Sequence, residues 1–289
     1  MKPHNFLLIG LPESGKTSFL AALWYSIQQK RVKTALELKK LDGDSAYLNK
    51  ICDAWASYKP VGRNQTDIET FVSMWLKERG GDQEVHLTFP DLSGETFKRQ
   101  WAGRHLTESY QNCIKSADGG LLFISPKLNQ PLRISEVVQL SGILEENNEE
   151  DARAEAITPS PPAIPWDIEK APTQVQLVEL LQFLASNKYF KPPFRLVIVV
   201  SAWDELLGSK LTPQIWIEKQ LPLLSQFLSS HTDKFKVTFC GLSAQGGQYD
   251  GTESGALQAK YPVERILVVG DKVDNQHDIT EPLLWLIKN

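Results

Sequence analysis

Gly10-Leu11-Pro12-Glu13-Ser14-Gly15-Lys16-Thr17 carries two glycines, an ammonium group and a hydroxyl at the spacing GxxxxGK[ST]. A loop that grips a polyphosphate needs that spacing. Main-chain N–H groups of residues 13–18, from Glu13 through Ser14, Gly15 and Lys16 to Ser18, face the phosphates at a helix N-terminus. Lys16 reaches the outer phosphates, and Thr17 offers its hydroxyl to Mg²⁺. The flanks agree with this reading. Residues 5–10 (NFLLIG) form the apolar run of a strand buried on both faces, and Phe19, Leu20, Leu23 and Ile27 then share a helical face. An ordinary glycine turn is the bland alternative, and it explains neither flank.

Three more stretches extend the chemistry. Phe89-Pro90-Asp91-Leu92-Ser93-Gly94-Glu95 ends a predicted strand 75 positions after Lys16. Asp91 there suits a Mg²⁺ contact, and the Gly94 N–H suits sensing of a terminal phosphate. A DxxG alone is common, and its place after the strand is what gives it weight. Between the two lies Arg63-Asn64-Gln65-Thr66. Thr66 can close over a nucleotide and bind Mg²⁺, and Arg63 can bring positive charge to the transferring phosphoryl group; a solvated surface arginine is the alternative. Ser201-Ala202-Trp203-Asp204 and Ser243-Ala244-Gln245 each follow a buried strand. GTP-binding proteins carry Asn-Lys-x-Asp and Ser-Ala-Lys at such places. Asp204 is in register to accept from the guanine N1–H and amino group, and Ser243 and Ala244 sit where backbone meets the guanine oxygen. Ser201 and Ala202 depart from the Asn-Lys pair. Trp203 either stacks over the base or fills the core. Together these elements favour guanine over adenine.

The elements that must position these groups alternate. Helical patterns cover residues 15–30, 44–58, 93–116, 173–187 (with Thr173 as a cap), 213–230 and 278–288. Strand patterns cover 69–77 and 84–89, which flank the hairpin signal Gly80-Gly81-Asp82, and then 119–125, 194–201, 236–241 and 265–270. Such alternation predicts a three-layer α/β/α P-loop NTPase fold with a mainly parallel central sheet and one antiparallel strand from the hairpin. Residues 1–289 read as a single domain, interrupted at about 143–172 by an acidic, then proline-rich insertion containing Trp166.

The bulk composition narrows the function. A formal charge of −4 without a basic stripe argues against nucleic acid or an anionic membrane as a primary partner. Cys52, Cys113 and Cys240 lack CxxC spacing and read as core thiols of a reducing compartment, and the five histidines show no ligand spacing. No signal peptide and no run long enough to span a bilayer is visible, so a cytoplasmic location is expected.

With these elements in order, the sequence resembles GTPases of the translation-factor-related (TRAFAC) class. GLPESGKTSFLAALW, FPDLSGE, TQVQLVELLQ before VVSAWDEL, and SAQGG are similar to bacterial double-GTPase proteins, predicted for conflict and defence systems. Those occur beside a second GTPase and activator-like proteins, which implies protein partners or a downstream effector; a homodimer stays open. In the switches alone, the Arg63–Thr66 spacing and DLSGE also resemble heterotrimeric G-protein α subunits. The resemblance implies GTP and GDP as ligands, Mg²⁺ as cofactor, and Lys16, Arg63 and Glu95 as the catalytic set.

Two carboxylates complicate it. Glu13 occupies the place of an Asn that helps coordinate K⁺ in potassium-using GTPases, so a bound K⁺ would resolve its clash with phosphate. The simpler answer, which is preferred, turns the side chain outward or pairs it with a nearby cation. Glu95 stands where many such enzymes have a water-orienting Gln. An ionised Glu can accept from the water but cannot donate to the phosphoryl group, so intrinsic hydrolysis is expected to be slow. A P-loop ATPase or kinase, and a scaffold that holds nucleotide without hydrolysing it, are the competing readings.

Overall fold

Phe6, Leu7, Leu8 and Ile9 of β1 (His4–Gly10) are all buried, and they alternate between two cores. Phe6 and Leu8 enter one, Leu7 and Ile9 the other. β5 (Gly119–Ile124) repeats the pattern, with Leu121 and Phe123 on the first side and Leu122 and Ile124 on the second. So does β6 (Phe194–Ser201), whose Val197 and Val199 oppose Leu196, Ile198 and Val200. Strands apolar on both faces belong inside a sheet covered by helices on each side. A computed structural model describes residues 4–29, 33–42, 45–61, 70–91, 103, 107–129, 171–186, 188, 190–270 and 277–288.

Eight strands form one sheet in the order β2-β3-β4-β1-β5-β6-β7-β8. The remaining strands are β2 (Leu36–Asp42), β3 (Thr70–Glu78), β4 (Glu84–Asp91), β7 (Phe235–Ser243) and β8 (Leu267–Gly270). β4, β1, β5, β6 and β7 run parallel. β3 is the reversed strand expected from the hairpin, antiparallel to both its neighbours. The structure adds a second reversed strand, β8, paired antiparallel with β7 at the far edge. Helices α1 (Lys16–Gln28) and α2 (Ser45–Ala56) and the C-terminal helix cover the face of Phe6. Helices α3 (Glu108–Ser116), α4 (Thr173–Ser186), α5 (Pro213–Gln220) and α6 (Pro222–Ser230) cover the face of Leu7. A short α7 (Ser254–Ala259) precedes β8, and α8 (Glu281–Lys288) closes the described chain.

Two local expectations change, and one strand, β2, is added. β2 has no clean sequence signal because a bulge between Leu38 and Lys40 shifts its register, so Leu38 opposes Leu76 but Leu41 opposes Met74. The strand starts on a polar clasp: the Ala35 N–H donates to Asp278 Oδ2 at 2.7 Å and the Leu36 N–H to Thr280 Oγ1 at 3.2 Å. The helix expected over 213–230 is two helices. Pro222 has no N–H to donate and forces Leu221 out of helical geometry, to φ −132° and ψ 57°, then serves as a first-turn residue of α6. Thr173 does not cap α4. Its Oγ1 accepts from the Asn129 N–H at 2.8 Å while its own N–H donates to the Asn129 carbonyl at 2.7 Å. That reciprocal pair ties residue 129 to residue 173; the expected insertion, through residue 170, lies outside the described residues. Of the helix expected over 93–116, α3 is described, capped by Thr107.

Cys52 and Cys240 are buried and Cys113 half-buried, all three outside any disulfide, and burial pushes the Cys52 thiol up to about 11. No helix among the described residues is long and apolar enough to cross a membrane. Phe19, fully buried in α1, rests on Phe123 of β5 with ring centroids 5.1 Å apart, which fixes the helix carrying Lys16 to the sheet. Phe19→Ala should cost about 3–5 kcal/mol, read from the urea midpoint of unfolding.

Candidate nucleotide-binding site

The loop from Gly10 to Lys16 is shaped by what cannot fit in it. Gly10 has φ 147°, and a Cβ there would lie 2.6 Å from the Phe123 carbonyl oxygen. Gly15, the N-terminal cap of α1, has φ 94°, and its Cβ would press on Ser201 at 3.0 Å. Glycine relieves both. Glu13 lies between them, exposed, with φ 63°. The helical ladder begins with the Phe19 N–H donating to the Gly15 carbonyl at 3.0 Å. The first N–H groups of an α-helix lack intrahelical acceptors, so at residues 16–18 they are available to an anion. Thr17 and Ser18 are half-buried in that first turn. Lys16 Nζ donates back to the carbonyls of Gly10 at 2.9 Å and Leu11 at 2.8 Å and to Ser14 Oγ at 3.2 Å. Those bonds hold the ammonium over the loop mouth.

Sheet register gathers the other groups at the same edge. Leu7 pairs with Thr88 in parallel, and three residues further along each strand stand Gly10 and Asp91. Asp91 therefore ends β4 beside the start of the loop, although its side chain lies outside the described residues. Arg63, Thr66, Gly94 and Glu95 lie wholly outside them. β6 ends at Ser201, whose hydroxyl donates to the Ile124 carbonyl at 3.2 Å. Ala202 then turns through a left-handed conformation (φ 46°, ψ 43°) into a short 3₁₀ segment, Trp203–Ser209. Trp203 is buried, 2% exposed, with its ring against the backbone of Gly241. It fills the core and does not stack on a base. Asp204 stays half-buried at the edge. β7 delivers Ser243 next to it, and the Ser243 Oγ accepts the Gly246 N–H at 2.8 Å, closing the turn after Ala244.

A family model for Double-GTPase 1 matches residues 7–286. The chain belongs to the Double-GTPase 1 family. No curated protein matches it. Among solved structures, it is similar to the Ski7 GTPase-like domain of S. cerevisiae, bound to GTP, at 13% identity and a TM-score of 0.44, over 99% of this chain and 50% of that one. It is also similar to a signal recognition particle receptor SRb-GTP/SRX complex from Chaetomium thermophilum, at 11% identity and 0.41, over 89% and 97%. A bacterial selenocysteine-specific elongation factor is similar at 15% identity and 0.36, over 86% of this chain and 27% of that one. The chain thus spans about a quarter of that elongation factor and half of the Ski7 chain.

The residues present fit a magnesium ion. Thr17 contributes a hard oxygen at the first turn of α1, and Asp91 ends the adjacent strand. Mg²⁺ characteristically binds through one or two protein oxygens together with phosphate oxygens, and among the described residues no cluster of three His, Cys, Asp or Glu could hold a metal. Sequence reasoning missed the groups behind the site. Trp55 in α2, Tyr58 in the turn after it and Arg265 in the 3₁₀ turn before β8 have no motif to mark them, yet Trp55 and Tyr58 hold the turn after Ser243 and Arg265 holds Trp55.

Burial raises the Asp204 carboxyl above the usual carboxylate range, against hydrogen bonds from Ser243 and its own backbone, and Glu205 adds repulsion. A carboxyl whose folded pKa is raised adds stability below the unfolded pKa and loses it as pH rises through the folded one. At neutral pH the ionised Asp204 therefore destabilises the nucleotide-free fold. Asp204→Asn should raise the melting temperature of nucleotide-free protein at neutral pH, an increment that vanishes in acid. The same change should weaken GTP roughly 100-fold and favour xanthosine triphosphate, measured by calorimetric titration.

Proposed function

We propose that this chain is a Mg²⁺-dependent GTP-binding switch that hydrolyses GTP slowly by itself and acts with a protein partner in a bacterial conflict or defence system. One observation carries the reading. The phosphate loop, Asp91, Asp204 and Ser243–Ala244 converge at the carboxyl edge of neighbouring parallel strands in a chain of the Double-GTPase 1 family. Open α/β sheets bind ligands at that edge.

In this reading the N–H groups of residues 13–18 and the Lys16 ammonium hold the phosphates, and Thr17, Thr66 and Asp91 hold the metal. Mg²⁺, when bound, supplies positive charge to the phosphate oxygens. Asp204 and the Ala244 N–H read guanine. The Gly94 N–H and Thr66 respond to the γ-phosphate, which biases the loops that a partner binds. Arg63 brings charge to the transferring group, and Glu95 orients water without donating a hydrogen bond. A second GTPase, an activator-like protein or a downstream effector completes what Glu95 lacks. Glu13, whose side chain is exposed, turns outward in this reading, and K⁺ beside it is the alternative that the comparison of K⁺ with Na⁺ tests. The unit acts as a single cytoplasmic domain, 1–289, with 143–172 as its insertion and without nucleic acid or membrane as primary partner. The ATPase reading draws on the missing Asn-Lys pair alone, and the scaffold reading on Glu95 alone.

Affinity and turnover for GTP and ATP, with Mg²⁺ and with K⁺ against Na⁺, test this together. The parent should prefer GTP, and Lys16→Ala should weaken it roughly 100-fold. Tight GTP binding by the Lys16 variant, or a preference for ATP, would overturn the proposal. Single-turnover hydrolysis should run below about 10⁻² s⁻¹ for the isolated protein and rise in Glu95→Gln, whereas a fast parent refutes the slow switch.

A further inference from the structure

Arg265 is a buried cation, 3% exposed, and no carboxylate is among its partners in the described residues. Its Nη2 donates to the carbonyls of Trp55 at 3.2 Å and Ala56 at 3.0 Å, and its Nε to the Pro262 carbonyl at 3.3 Å. The guanidinium lies 5.1 Å from the ring centroids of both Trp55 and Tyr58. A planar fork of donors on the last carbonyls of α2, with an aromatic face on either side, anchors the end of that helix.

The anchored end in turn grips the turn after β7. Trp55 Nε1 donates to the Ala244 carbonyl at 3.0 Å, and the Tyr58 hydroxyl donates to the Gln248 carbonyl at 3.0 Å. Tyr58 does this from a left-handed backbone, φ 54°, an unusual conformation for a bulky residue that the surrounding contacts must maintain. Gly246 packs so close to the Arg265 main chain that a Cβ would lie 2.6 Å from its carbonyl oxygen. Ser243 is held in the sheet opposite Leu267. With Ser243 fixed on one side and the Ala244 carbonyl pinned on the other, the Ala244 N–H has a set direction.

We propose that Arg265, through Trp55, is a positioning residue for base recognition: it fixes the Ser243–Ala244 turn so that the Ala244 N–H meets the guanine oxygen. This rests on the guanine-nucleotide reading above. Neither Arg265 nor Trp55 touches phosphate in that reading; Trp55 also packs on Tyr25 of α1, with ring centroids 5.3 Å apart, so a variant that keeps a ring at position 55 isolates the base end.

The test compares GTP with inorganic tripolyphosphate, both with Mg²⁺, for the parent, Trp55→Phe and Arg265→Lys. Trp55→Phe keeps a ring for Arg265 and removes one donor; Arg265→Lys keeps the charge and removes the fork. GTP affinity should fall about tenfold in each, with tripolyphosphate affinity unchanged within about twofold. Equal loss for both ligands assigns the pair a purely structural role and overturns the proposal, as does unchanged GTP affinity in folded Trp55→Phe. Should Arg265→Lys not fold, Trp55→Phe decides alone. A parent that binds tripolyphosphate but no guanine nucleotide sinks the guanine reading and this inference with it, whereas failure of the variants alone leaves the guanine reading standing.

Discussion

Everything in the site depends on turning a run of main-chain N–H groups toward one anion while their carbonyls find other partners. A chain can do this only where side chains do not obstruct it. Gly10 and Gly15 remove the Cβ atoms that would strike Phe123 and Ser201, and Lys16 takes up the carbonyls of Gly10 and Leu11. The same contacts couple the two ends of the site. Ser201, the last residue of β6, leans on Gly15, so the strand that leads to Asp204 also braces the phosphate loop.

The groups around this loop are held in states they would not adopt alone. Glu13 sits in left-handed backbone at a cost of roughly 1–2 kcal/mol, with its side chain exposed. Asp204 is kept partly from water beside Ser243, which raises its carboxyl above the ordinary range. Both features trade local stability for orientation, the usual bargain of a ligand site.

The edge beyond β6 is built differently from an Asn-Lys-x-Asp element. A small Ser201 replaces the Asn and packs against the phosphate loop, and Trp203 turns into the core against Gly241 rather than over a base. What steadies the turn after β7 comes from elsewhere in the chain: Trp55 and Tyr58 at the end of α2, and Arg265 just before β8. Tyr58 and Gln248 stand 190 positions apart along the chain, and Trp55 and Arg265 210.

The phosphate loop, the buried strands and the order of helices and strands were legible in the residues because each rests on local chemistry: glycine spacing, apolar runs and helical period. The bulge in β2 was not, since one inserted residue erases a period of two, and the break at Leu221 was legible in principle from Pro222 but masked by a strong helical pattern. By itself the sequence determined that a polyphosphate loop joins a buried strand to a helix, and that Asp204 and Ser243 stand at the ends of strands. Only the tertiary structure decided that Trp203 is core, that Thr173 pairs with Asn129 rather than capping its helix, and that Arg265 anchors the end of α2 beside the turn after β7. Those outcomes depend on contacts between residues far apart in the chain, whose geometry no local pattern encodes.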